Sequence, residues 1–132
     1  MSNAAAVQSI YQAFGTGDVP AILERLSDDI EWEHDSIDHG IPWLKPGRGK
    51  EHVRNFFGIV GREFKISRFD VGALFESADQ VVVQIRIQTT INSTGKSIND
   101  YELHVWTFDP RGKVKAFRHC VDTHQHYQTC RK

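Results

Sequence analysis

The chain has 132 residues, 39% hydrophobic and 25% charged, with 16 basic against 17 acidic side chains and a formal net charge of -1. That composition suits a folded globular chain, and the length suits one domain with a single core over residues 1–132. The even charge excludes the basic footprint of a nucleic-acid binder, and no run approaches the roughly 18 apolar residues that a membrane helix needs.

Taken in order, Asn3 to Phe14 reads as a helix, with Val7, Ile10, Tyr11 and Phe14 recurring on one stripe. Gly15-Thr16-Gly17 ends it, and Asp18 caps a second helix that carries Pro20 in its first turn. Ser27-Asp28-Asp29 reads as a turn. Ile30 to His34 is a short strand with Ile30, Trp32 and His34 on one face and Glu31 and Glu33 on the other. Asp35 to Gly49 is a loop long enough for a lid or rim, and it holds Trp43. Lys50 to Phe64 is a third helix with Val53, Phe56, Phe57 and Val60 inward. Strands follow at Lys65–Glu76 and Gln80–Asn92, the second with clear period-two alternation.

The last third predicts two long paired strands, Ser97–Phe108 and Lys113–His126, joined by the turn Asp109-Pro110-Arg111-Gly112. Period two sets Asp100, Glu102, His104, Trp106 and Phe108 on one face. Helices gathered before a strand meander argue for α+β: a curved antiparallel sheet with three helices of the N-terminal half packed on its concave side. Such a sheet wraps a pocket.

His104, between Glu102 and Trp106, is the leading candidate for moving a proton, because imidazole titrates near neutral pH. His34, sharing a face with Trp32, is a second candidate base. Arg118, Cys120 and Asp122 alternate with Phe117, His119 and Val121, and period two alone leaves open which set faces inward. If Asp122 turns out, His119 takes its place. Trp32, Trp43, Trp106, Phe14 and Phe56 are candidate apolar walls for a ligand. His124 and His126 read as the frayed end of the last strand. No HExxH or CxxC pattern and no nucleotide-binding glycine motif is present, so neither metal nor organic cofactor is expected. Cys120 and Cys130 are too few for a disulfide framework. The start, Met1 to Val7, has no basic region followed by a long apolar run, so no signal peptide is expected and the expected setting is cytoplasmic.

The Gly17-Asp18 turn, the stretch Ser27-Asp28-Asp29-Ile30-Glu31-Trp32 and the stretch His104-Val-Trp-Thr-Phe-Asp-Pro-Arg-Gly-Lys-Val resemble the NTF2-like superfamily. Within it the chain looks most like the SnoaL-like polyketide cyclase and ketosteroid-isomerase-like group. The resemblance implies a cone-shaped α+β barrel, open at one end and often dimeric through the outer sheet face. It also implies an apolar pocket for a small hydrophobic ligand. Counted back from Asp18, the isomerase's first-helix tyrosine falls on Ile10, with Tyr11 next to it. Its base aspartate falls on His34 and its protonated aspartate on His104, so all three positions depart from that chemistry. The cyclase branch resembles a His and an Asp around the pocket, for which His104 and Asp122 are the matching positions. The expected function is a small-molecule enzyme acting on a polyketide- or steroid-like carbonyl compound by general acid–base proton transfer. The alternative is a non-catalytic ligand-binding or dimerisation module of the same fold.

Overall fold

The computed structural model describes residues 1–132. Helix α1 spans Asn3–Gly15, with the Ser2 side chain accepting from the Ala5 amide at 3.0 Å. Gly17, at φ 72°, takes the left-handed turn that releases the chain, and Asp18 then caps α2, Val19–Glu24, through the Ala21 amide. Strand β1 is Leu26–Trp32 and β2 is the short pair Gly47–Arg48, separated by a loop with one 3-10 turn at Pro42–Leu44. Helix α3 covers Lys50–Glu63, followed by β3 Phe64–Glu76, β4 Gln80–Ile91, β5 Ser97–Phe108, β6 Val114–Cys120 and helix α4 Thr123–Thr129.

The six strands form one curved sheet in the order β2-β1-β6-β5-β4-β3. This is the expected α+β architecture, with three corrections. The sheet is mixed, because β1 lies parallel to β6. The last strand ends at Cys120 instead of His126, and a fourth helix follows it. The reason is local. Asp122 turns its side chain onto the Gln125 amide at 3.2 Å and starts a helix, so the spacing of His124 and His126 is helical. The Ser27-Asp28-Asp29 segment also differs from expectation, since it is part of β1.

Strands β4 and β5 alternate buried and exposed residues along nearly their whole length, as period two requires. Their inner faces meet α1 and α3 in a core that includes Val7, Ile10, Ile30, Val53, Val83 and Ile85, all 3% exposed or less. No helix is long and apolar enough to cross a membrane.

Candidate functional site

The core does not close completely. Between α1, α3 and the sheet lies a cavity of about 70 Å³, with 16 hydrophobic residues among the 20 that line it. Trp32, Trp43, Trp106, Phe14 and Phe56 all line it, as do Phe57, Phe69 and Phe117. One side is polar, made by Tyr11, Glu102, His104, His119 and His126.

Strand β5 supplies the base of that polar side. Asp100, Glu102, His104 and Trp106 are successive inward residues and all are buried. Their hydrogen bonds can be assigned from the indoles, because an indole N–H can only donate. Trp106 Nε1 donates to Tyr11 Oη at 3.1 Å. The Tyr11 hydroxyl is then free to donate to His104 Nδ1, 2.7 Å away. His104 therefore carries its proton on Nε2 and donates to Glu102 Oε1 at 2.8 Å. From the other end, Trp43 Nε1 donates to His126 Nδ1 at 2.9 Å, which places the His126 proton on Nε2. That nitrogen faces Asp100 Oδ2 at 3.1 Å and Glu102 Oε2 at 3.5 Å.

The protonation energetics agree with this order. Burial alone pushes the Glu102 carboxyl up, but hydrogen bonds from His104 and His126 hold it well below the usual carboxylate range. Burial lowers His104 and keeps it neutral, and burial raises the Tyr11 phenol far above its usual value. Burial also lowers His126, yet its bonds to Asp100 and Glu102 more than offset this and shift it upward. The groups Glu102–His104–His119 and Asp100–Glu102–His126 each converge closely enough to suggest a cation site. His104 Nε2 and His126 Nε2 hold protons where a cation needs a lone pair, so the donor pattern does not fit a metal.

His119 is arranged differently. It sits opposite His104 in the β5–β6 register, and the two rings are 4.7 Å apart and nearly perpendicular. Its Nδ1 bonds Glu33 Oε2 at 2.8 Å, and its backbone amide bonds Glu33 Oε1 at 2.8 Å. Glu33 thus clamps one residue twice. Burial lowers the His119 pKa, but the Glu33 charge and hydrogen bond outweigh it, and the net shift is upward. Nε2 of His119 is left without a protein partner.

The clamp depends on backbone geometry. Glu33 has φ 58°, in the left-handed region that non-glycine residues adopt only at a cost of roughly 1–2 kcal/mol. That twist, directly after β1, breaks the alternation and turns Glu33 inward beside Trp32. Glu33 is 3% exposed.

The same twist leaves His34 outside. Its side chain lies on the surface, bonded to Glu31 at 2.5 Å and close to Asp35. Asp122 is also outside the cavity, as the exposed cap of α4; its backbone amide bonds Asp100 Oδ2. Of the three sequence-level proton-transfer candidates, only His104 lines the cavity. The structure joins to it Tyr11, Glu102, His119, Glu33 and His126. Tyr11 was on the inward stripe of its helix, and His119 was the stated alternative to Asp122. Glu33 and His126 carried no sequence signal, since one depends on a single backbone twist and the other on a helix read as a strand.

A family profile described as a SnoaL-like domain matches residues 7–117. No functionally curated protein matches the chain in sequence. Among solved structures, an NTF2-like protein from Burkholderia thailandensis E264 is 28% identical with a TM-score of 0.84, covering 100% of this chain and 99% of that one. A candidate polyketide cyclase from Pseudomonas putida KT2440 is 18% identical with a TM-score of 0.79, covering 98% of each chain. TerC, crystallised with polyporic acid, is 22% identical with a TM-score of 0.80, covering 96% of each chain. The last two likenesses bear on fold alone. With the profile spanning most of its length and the mixed sheet and helices matching, this chain belongs to the SnoaL-like family of the NTF2-like superfamily.

Proposed function

We propose that this protein is a small-molecule enzyme that moves a proton on a hydrophobic carbonyl compound, of polyketide- or steroid-like character, bound in the apolar cavity. The observation that carries this reading is the His119–Glu33 clamp, which leaves one imidazole nitrogen without a protein partner at the polar side of a largely apolar cavity. A carboxylate on Nδ1 fixes the tautomer and orients the ring, and the free Nε2 becomes the base. The C–H bond next to the carbonyl breaks, its proton goes to Nε2, and the electron pair moves onto the carbonyl oxygen as an enolate. Return of the proton to a different carbon of the enolate completes isomerisation; attack of the enolate carbon on a second carbonyl, whose new alkoxide takes the proton from His119, is cyclisation; and expulsion of a β-hydroxyl, which takes that proton and leaves as water, is dehydration. His104 has both nitrogens engaged, so it acts as a positioning residue that holds Glu102 and walls His119.

A second reading, a non-catalytic binding module, draws on the same saturation of Tyr11, His104 and Glu102, which makes a rigid cage. The two separate on hydrogen exchange. With 2-tetralone in D2O, proton NMR should show exchange next to the carbonyl faster than buffer by about 10²–10⁴-fold, the usual range for a positioned base. His119→Gln should lose it. Binding, read by tryptophan fluorescence, without exchange above buffer selects the binding module.

The outer sheet face exposes Phe75 at 56%, Tyr101 at 76% and Leu103 at 41%. These side chains support a proposed homodimer through that face, to be tested by sedimentation of wild type against Tyr101→Glu. Free Cys120 and Cys130 are consistent with the cytoplasmic location we propose.

A further inference from the structure

The cavity contains three indoles, and only two of them are spoken for. Trp43 donates to His126 and Trp106 to Tyr11. Trp32 Nε1 is buried with no acceptor. Ser27, Arg86, Thr89 and Arg118 also hold buried unpartnered side-chain atoms, but of these five residues only Trp32 lines the cavity. A buried N–H without a partner forfeits its hydration, so native structures rarely keep one unless something else supplies the acceptor.

The neighbours of Trp32 cannot supply it. Its ring stacks on Phe117 at 4.2 Å and packs against Phe56, Phe57, Trp106 and His119. Four of these five offer no acceptor at all. The fifth, His119, stands edge to face with Trp32 at 6.4 Å between ring centres and makes no hydrogen bond to its indole N–H. Trp32 Nε1 and His119 Nε2 are thus two unpartnered groups on neighbouring rings of one cavity.

We propose that Trp32 Nε1–H is the hydrogen-bond donor to the carbonyl oxygen of the bound substrate, opposite the proton-accepting Nε2 of His119. Tyr11, His104 and His126 have their protons committed within the network, so the cavity holds no other unengaged donor among its titratable and aromatic groups. As the α C–H bond breaks toward His119, negative charge grows on the oxygen. The indole stabilises it by donation, without transferring its proton, and the proton on His119 is the one returned to carbon. The substrate class narrows accordingly to compounds whose carbonyl oxygen and acidic C–H are neighbours on one edge of an apolar ring.

This inference rests on the carbonyl reading of the cavity, and the test separates the two. Wild-type protein labelled with 15N at tryptophan is titrated with 2-tetralone and, separately, with the hydrocarbon tetralin. The three indole resonances are assigned by Trp32→Phe, Trp43→Phe and Trp106→Phe. The expected result is a downfield shift of the Trp32 indole proton with 2-tetralone and none with tetralin. Trp32→Phe should weaken 2-tetralone binding by about tenfold more than it weakens tetralin binding, the size of one good hydrogen bond beyond the packing both ligands lose. Binding of 2-tetralone with an unmoved Trp32 resonance, or an equal change in affinity for 2-tetralone and tetralin in Trp32→Phe, overturns the donor role while leaving the cavity reading intact. Failure of wild type to bind 2-tetralone at all removes the carbonyl reading and the donor role with it.

Discussion

Tyr11→Phe tests the hydrogen-bond order directly. The substitution removes one oxygen and little else. It orphans Trp106 Nε1, which donates to that oxygen at 3.1 Å, and His104 Nδ1, which accepts from it at 2.7 Å. Trp106 is 3% exposed and His104 5% exposed, so water does not readily replace the lost partner. An unsatisfied buried donor or acceptor costs roughly 1–3 kcal/mol. Two of them, less about 1 kcal/mol gained by burying a more apolar ring, give a loss of roughly 1–5 kcal/mol. For a chain of this size that lowers Tm by roughly 4–18 °C. Urea denaturation measures the energy, and imidazole 15N NMR reads the tautomer. Wild-type His104 should show its proton on Nε2, and Tyr11→Phe should free the ring to mix tautomers. A stability change within about 0.5 kcal/mol, the scatter of an uninvolved surface substitution, would refute the assignment. So would a wild-type His104 protonated on Nδ1 alone.

The pH dependence of 2-tetralone exchange should rise through a pKa above 6.5, because His119 is shifted upward and a base works only when neutral. Glu33→Gln should move that limb to lower pH and slow the plateau; an unmoved limb rules out the clamp. Glu102 contributes stability above its ordinary pKa near 4.5, since its folded value is depressed, and loses it as pH falls further. Melting curves should therefore decline below about pH 4.5, and more shallowly in Glu102→Gln. His34→Ala should leave exchange unchanged. Asp122→Ala should lower Tm slightly through the lost cap on α4, again without changing exchange at saturating substrate.

Much of this site was legible because β5 obeys a simple rule. Period two placed Asp100, Glu102, His104 and Trp106 on one face, and burial follows that alternation residue by residue. The aromatic walls were legible for a similar reason, as large apolar side chains on inward stripes. His119 was undecidable from spacing, since a strand has two equivalent faces until its neighbours are known. Glu33 was hidden by a left-handed residue that shifts parity by one and exchanges it with His34. His126 was hidden because residues two apart look alike at the end of a strand and the start of a helix. The parallel pairing of β1 with β6 is a contact across 80-odd residues, and no local pattern encodes it.

The direction of the hydrogen bonds has one more consequence. From Trp106 through Tyr11 and His104 every donor points toward Glu102, and from Trp43 through His126 every donor points toward Asp100, with Glu102 beside it. A proton hops along such a chain only if each member can reverse its role, and an indole cannot accept. Both outer ends are thus one-way. The wall beside His119 is an electrostatic support and also an insulator, and a proton lifted from a substrate onto His119 has no conducting route away through it. That confinement favours handing the same proton back to the same molecule. An isomerase with this wall would show internal transfer of the substrate's own hydrogen, retained in part even in D2O.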